Sequence, residues 1–121
     1  MSMKKYAMTD DTIEIDGHIL HRIEASINGK YFRIGDKGGF IETEDNLSHY
    51  GDCWIFGDGK VYENSKILDN VLIHDNVIIN GNAMISGNIK IYGNSVVTNN
   101  VELSGNTEIY STKLFGDCYI S

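Results

Sequence analysis

From Tyr50 onward, the chain repeats with a period of six residues. In the run DNVLIHDNVIINGNAMISGN (residues 69–88), an aliphatic residue closes each hexad and Asn stands three residues before it. Neither the turn of an α-helix nor the simple alternation of a lone strand has this period. Repeats of this regularity are the signature of a solenoid. The closing residues are Ile55, Val61, Ile67, Ile73, Ile79, Ile85, Ile91, Val97, Leu103 and Ile109.

Each hexad, counted from Tyr50, is typical of a short strand followed by a corner. Residues two apart in a strand share a face, so positions four and six point inward while positions five and one point outward. Gly accepts a positive φ freely, and Asn and Asp accept it better than other residues with a Cβ, so positions two and three turn the chain. The repeat therefore predicts a prism of stacked parallel strands with Ile and Val at its centre.

The hexads of residues 50–120 resemble those of the hexapeptide-repeat, left-handed parallel β-helix family. The resemblance implies a left-handed winding in which three hexads form one triangular coil, so that residues three hexads apart stack. We therefore expect an all-β fold: a single-stranded left-handed parallel β-helix of about four triangular coils with a small N-terminal antiparallel β cap.

The first third of the chain lacks the hexads. Two hairpin signals, Asp16-Gly17 and Asn28-Gly29, stand between apolar stretches, and we expect residues 4–37 to form a short antiparallel sheet over the first coil. The predicted division is an N-terminal β-hairpin cap at 1–45 and a hexapeptide-repeat β-helix at 46–121. The head TIEIDGHILHRI and the run GGFIETEDNLS, followed by Gly-Asn hexads, resemble a group of small bacterial and phage proteins. This second resemblance implies no agreed biochemical activity.

Composition excludes several classes of function. The 121-residue chain has a formal net charge of −7, which argues against nucleic acid as a direct ligand because phosphate binding needs clustered Lys and Arg. There is no run of about 18 apolar residues to span a membrane. The start MSMKKYAMTDDT lacks the apolar centre of a secretion signal, so we expect a cytoplasmic location.

Two residue types that often mark chemical sites have structural explanations here. The Asn series is explained by corner amides that stack between coils at positive φ, so we expect neither a metal nor a cofactor. Cys53 and Cys118 take inward positions on distant coils, where we expect free, unreactive thiols.

The outward positions predict a contact surface. If residues three hexads apart stack, one face carries an aromatic column beside two further apolar side chains. Apolar strips on a solvated face usually mark interfaces, although aromatic rings also stabilise exposed sheets by cross-strand pairing. The predicted interface consists of Trp54, Phe56, Leu72, His74, Tyr92 and Tyr110.

We therefore predict a non-enzymatic protein–protein interaction module that forms a homo-oligomer, either a dimer or a trimer. One specific version is an acidic inhibitor from a phage or mobile element. It would present nucleic-acid-like charge to a host nucleic-acid-binding defence protein, such as a CRISPR effector. The acidic corner available for this consists of Asp52, Asp58, Glu63, Asp69 and Asp75.

Two alternatives stay open. The hexapeptide acyltransferases that the repeat resembles generally use a His as the base that activates the acceptor, and His74 is the His within the regular hexads. Long inserted loops and a C-terminal helix, which are typical of those enzymes, are not found in this sequence. The other alternative is a purely structural repeat protein that assembles end to end.

Overall fold

The computed structural model describes residues 4–121 and shows an antiparallel N-terminal sheet followed by a β-solenoid of about four coils. The head contains β1 (Tyr6–Ile15), β2 (His18–Ala25) and β3 (Lys37–Ile41). A short 3-10 turn, Glu44–Asn46, leads into the solenoid. The predicted all-β solenoid with an N-terminal antiparallel sheet is therefore confirmed.

The solenoid strands are short and stack into three sheets. They are β4 (Trp54–Ile55), β5 (Lys60–Val61), β6 (Lys66–Ile67), β7 (Leu72–Ile73), β8 (Ile78–Ile79), β9 (Met84–Ile85), β10 (Asn88–Tyr92), β11 (Val96–Val97), β12 (Glu102–Leu103), β13 (Asn106–Tyr110), β14 (Lys113–Leu114) and β15 (Tyr119–Ile120). Sheet A has the order β1-β2-β3-β5-β8-β11-β14, sheet B the order β6-β9-β12-β15, and sheet C the order β4-β7-β10-β13.

Strands three hexads apart pair in parallel, so the aliphatic residues form inward columns. In sheet C the paired column is Ile55, Ile73, Ile91 and Ile109. The first three of these are fully buried, as the position-six pattern predicts. The hexad after β13 is one residue short, yet Val97 still pairs with Leu114, so the corner between β13 and β14 absorbs the missing residue.

The corners turn at the second position of each hexad. The residues with positive φ there are Gly51, Gly57, Glu63, Asp69, Asp75, Gly81, Gly87, Gly93, Asn99, Gly105, Ser111 and Gly116. A Cβ added at Gly81 would lie 2.6 Å from the backbone nitrogen of Asn99 in the next coil, so both the conformation and the close stacking require Gly at that position.

The Asn residues of the third position stack as predicted. Asn64 donates to Asn82 (3.2 Å), and Asn82 donates to Asn100 (3.2 Å). A second ladder runs through Asn70, Asn88 and Asn106. The backbone of these third-position residues does not have a positive φ, so that part of the prediction is wrong: the residue before each Asn makes the left-handed turn.

The head extends one face of the solenoid. β1 and β2 pair around the predicted Asp16-Gly17 turn, and β2 pairs antiparallel with β3. β3 in turn pairs in parallel with β5, with Ile41 opposite Val61, and so replaces the strand of a preceding coil. Sheet A therefore crosses the predicted division between 1–45 and 46–121.

The second hairpin signal does not form a two-residue turn. Asn28-Gly29 lies in the loop of residues 26–36 that joins β2 to β3, where Asn28 Oδ1 accepts a hydrogen bond from the Ile34 N–H (3.0 Å). The same loop carries Phe32, which is 4 % exposed, onto the ring of Trp54. We call residues 26–36 the β2–β3 loop.

Candidate functional site

The outer face of sheet C brings the predicted aromatic column together. Phe56 and His74 stack with ring centroids 4.4 Å apart, and Tyr92 lies against Tyr110 at 4.9 Å. Parallel pairing of β10 with β13 places Tyr92 beside Tyr110 and Lys90 beside Glu108. Register of the short strands therefore accounts for the column, because side chains at equal positions of successive coils must lie side by side.

The first half of this face is covered by the chain itself. Trp54 is 1 % exposed and stacks on Phe32 of the β2–β3 loop, with ring centroids 4.2 Å apart. Tyr6 meets the same indole edge-on, and Leu72 is also buried. Trp54 and Leu72 were predicted as interface residues, but their side chains serve an internal contact that sequence spacing does not reveal.

The second half of the face is open. The Tyr110 side chain is 63 % exposed, Tyr92 is half-buried, and the charged Lys90 and Glu108 stand beside them. Desolvation and then the Glu108 carboxylate raise the pKa of Tyr92, so its hydroxyl stays protonated and can donate a hydrogen bond. Between this half and Tyr31 of the β2–β3 loop lies a groove of about 240 Å³ that Leu72 and Lys90 also line.

One ring nitrogen of His74 is buried. Its Nε2 atom is closed off from solvent and has no hydrogen-bond partner among residues 4–121. Desolvation, with a smaller contribution from Lys90, lowers the pKa of His74, so the ring is neutral at pH 7. A base must reach the proton that it removes, and Nε2 is closed off from solvent here.

The predicted acidic corner is distributed over three corners. Stacking puts Asp52 and Asp69 at one corner and Asp58 and Asp75 at a second, while Glu63 lies at the third. Three of these carboxylates bind the coil above them, because Glu63, Asp69 and Asp75 accept hydrogen bonds from the N–H groups of Gly81, Gly87 and Gly93, respectively. Asp58 instead pairs with Arg22 of β2 at 3.0 Å. Their main contacts are therefore within the chain.

A cluster that the sequence did not reveal joins the head to the first coil. His18 Nδ1 lies 2.7 Å from Glu42 Oε2, and its Nε2 lies 3.6 Å from Glu63 Oε2. The hydrogen bond to Glu42 raises the pKa of His18, with desolvation opposing and Glu63 assisting. These residues line a cleft of about 490 Å³ together with Asp45 and Lys66. The cluster ties the tip of the β1–β2 hairpin to the solenoid.

A second missed contact is buried at the start of the solenoid. The Lys5 side chain is 1 % exposed, and its Nζ donates to the backbone oxygen of Cys53 (2.6 Å). Nearby, His49 Nδ1 accepts from the Lys5 N–H while His49 Nε2 lies 2.7 Å from Glu44 Oε1. Because Nδ1 accepts the first of these bonds, Nε2 is the nitrogen that donates to Glu44.

Comparison with known proteins adds no family. No protein-family model matches the chain, and no curated protein matches it. Within residues 4–121, no group of three or more His, Cys, Asp or Glu side chains is arranged to hold a metal ion. In the same part of the chain, no helix is long and apolar enough to cross a membrane.

Proposed function

We propose that this chain is a hexapeptide-type, left-handed solenoid that acts as a non-enzymatic protein-binding module and self-associates through the open half of sheet C. The observation that carries the proposal is the exposed Tyr110 beside Tyr92, on a face whose other half already binds an aromatic ring of the β2–β3 loop. A second copy would bury Tyr92 and Tyr110, as Phe32 buries Trp54. Tyrosine rings in such positions are common hot spots of binding.

The charges beside the tyrosines favour a second copy as the partner. Lys90 and Glu108 are neighbours in register, with opposite charges, on adjacent strands. A two-fold axis between β10 and β13 puts Lys90 of each copy opposite Glu108 of the other, and Tyr92 opposite Tyr110. Isologous contacts require this kind of self-complementary patch.

The open half of sheet C would form a small dimer interface. A fully buried aromatic side chain covers roughly 150–250 Å², but Tyr92 is already half-buried and Tyr110 is 63 % exposed, so each ring contributes less than that range. The stems of Lys90 and Glu108 add apolar area beside the rings, whereas a standard interface needs about 800 Å² from each partner. Because the interface is below the standard size, the proposed dimer is weak, reversible and dependent on concentration.

The test is a charge swap read by sedimentation and light scattering over a range of concentrations. Lys90→Glu alone should weaken dimerisation about tenfold or more, since like charges then face each other. The double variant Lys90→Glu with Glu108→Lys should restore it, because the two-fold pairing is re-formed with reversed signs. Tyr110→Ser should also weaken the dimer, whereas Tyr50→Ser, at an equally exposed tyrosine on another corner, should not.

A chain that sediments as a monomer at every concentration would refute self-association. A dimer that responds to none of the sheet C variants would assign the contact to another surface. The association state of a variant can be interpreted only if circular dichroism shows that the variant keeps the parent fold.

The inhibitor and acyltransferase hypotheses stay predictions. The five carboxylates are distributed over three corners, and Asp58 is paired with Arg22, which gives a continuous nucleic-acid-like charge pattern little support. The inhibitor hypothesis would be supported if the chain bound a purified nucleic-acid-binding defence protein and Asp52→Asn abolished that binding. Acyl transfer from acyl-CoA that disappears in His74→Ala would favour the enzyme.

A further inference from the structure

The buried pair of Lys5 and Cys53 joins the two ends of a long stretch of chain. Lys5 Nζ lies 3.2 Å from Cys53 Sγ, and 48 positions separate the two residues. The amine also donates to the backbone oxygens of Cys53 and Gly51 (2.6 and 3.4 Å), which hold it against the sulfur. Both side chains are essentially inaccessible to solvent. An amine and a thiol are thus kept in contact and apart from water.

The environment favours the neutral forms of both groups. Desolvation lowers the pKa of Lys5, and desolvation raises the pKa of Cys53, while each group partly offsets the shift of the other. A neutral amine has a free lone pair and is a nucleophile, whereas an ammonium ion is not. Contact with the amine also supplies a place for the thiol proton when the sulfur reacts.

We propose that Lys5 and Cys53 form an oxidative modification site, in which hydrogen peroxide leads to a covalent bond between Lys5 Nζ and Cys53 Sγ. This sulfenamide would link Lys5, directly before β1, covalently to Cys53 in the first coil. The proposal is independent of the dimer, because it involves the opposite end of the solenoid.

The chemistry proceeds in two balanced steps. Peroxide first oxidises the thiol to sulfenic acid by two electrons and is reduced to water, so that an S–O bond replaces the S–H bond. The amine lone pair then attacks sulfur, the N–S bond forms, and the S–O bond breaks. The leaving oxygen departs as water with a proton from the nitrogen. The product is lighter than the reduced protein by two hydrogen atoms.

Access to the sulfur requires local opening. The Cys53 side chain is 0 % exposed, so peroxide reaches it when Lys5 and the start of β1 separate briefly from the first coil. Reclosing returns the amine to the sulfur and excludes further peroxide, which favours the second step over oxidation to sulfinic acid.

The experiment treats the full chain, in a Cys118→Ser background, with hydrogen peroxide. Removing Cys118 excludes a disulfide, which would give the same mass change. Free thiols are then alkylated in urea, and the protein is digested and examined by mass spectrometry. We expect a peptide that joins Lys5 to Cys53, lighter by two hydrogen atoms than its parts and lost on treatment with dithiothreitol, which attacks sulfur and releases the amine.

Two controls define the outcome. Lys5→Met keeps the apolar stem but lacks the nucleophile, so Cys53 should go on to sulfinic acid without a joined peptide. The Cys118→Ser chain treated with peroxide in urea tests the geometry without a change at Lys5 or Cys53, and it should also give no joined peptide. Finding Cys53 still alkylated after peroxide, or oxidised but not joined, would overturn the proposal. So would a joined peptide that retains the oxygen atom, because that product lacks the direct N–S bond.

Discussion

At the scale of single residues, the second position of the hexad both turns the backbone and bonds to the next coil. Glu63, Asp69 and Asp75 take a positive φ, and their carboxylates also accept the N–H of the glycine at the same position of the next coil. Left-handed backbone is unfavourable for residues with a Cβ, and the hydrogen bond to the next coil offsets part of that cost. The acidity of the early coils therefore has a structural cause.

The Asn ladders give a prediction at this scale. Asn88 accepts from Asn70 (3.1 Å) and donates to Asn106 (2.8 Å), so Asn88→Ala removes two hydrogen bonds at once. Because the ladder is exposed to water, we expect a loss of about 1 kcal/mol in the free energy of unfolding, measured in urea. Asn76→Ala is the control: Asn76 has the same hexad position but no side-chain hydrogen bond to another described residue, and its replacement should change stability by less than about 0.5 kcal/mol. Equal losses would show that the ladder contributes nothing.

His18 and His74 should make the stability of the fold depend on pH in opposite directions. The folded-state pKa of His18 is raised, so its contribution is complete below the unfolded value of about 6.5 and is lost as the pH rises through the folded value. The stability advantage of the parent over His18→Gln should therefore shrink as the pH rises above about 6.5. The folded pKa of His74 is lowered, so the parent should lose stability relative to His74→Gln as the pH falls below about 6.5. Urea midpoints of the parent and of each variant, measured at several pH values, test both expectations. If the parent and the variants show the same dependence on pH, the assigned pKa shifts are contradicted.

The sequence period predicted contacts between coils and missed contacts between head and coil. Ile73 and Ile91 meet because the hexads repeat locally, so counting along the chain is sufficient. His18 meets Glu42, and Lys5 meets Cys53, only after the head has docked. No period links such residues, and Trp54 was for the same reason assigned to a surface although it lies beneath Phe32.

At the scale of elements, each two-residue strand of the solenoid has one side chain that points inward and one that points outward. In β9, Ile85 is 0 % exposed while the adjacent Met84 is 42 % exposed. Ile85→Ala should cost about 2–5 kcal/mol, because it removes buried methyl groups and leaves a cavity between stacked coils. Met84→Ala should stay within about 0.5 kcal/mol of the parent. Urea unfolding of the pair tests the assignment of faces, and similar losses at both positions would be inconsistent with it.

The β2–β3 loop is the element that sequence reasoning described least well. Asn-Gly is a strong local signal for a two-residue turn, but here it lies within residues 26–36. Burial of Phe32 against Trp54 determines the path of the loop instead. The energy of packing an aromatic pair exceeds the preference of one dipeptide for a tight turn.

At the scale of the whole molecule, sheet A makes the head and the solenoid continuous. β3 pairs with β2 on one side and with β5 on the other, so the same sheet contains the hairpin and four solenoid strands. Separation of the head would leave the β5 edge without a partner and uncover Trp54. We therefore expect one cooperative unit and not two domains that unfold separately.

Trp54 is the sole tryptophan of the chain and lies at the junction of head and solenoid, so its fluorescence reports whether the two unfold together. We expect the urea transitions from Trp54 fluorescence and from far-ultraviolet circular dichroism to coincide. Phe32→Ala should lower both midpoints equally and cost about 3–5 kcal/mol, since Phe32 is buried against the indole. Phe115→Ala, at a ring that is 68 % exposed, should leave both midpoints unchanged. A fluorescence midpoint at lower urea than the dichroism midpoint would show that the head detaches first, and the continuity of sheet A would then not couple it to the coils.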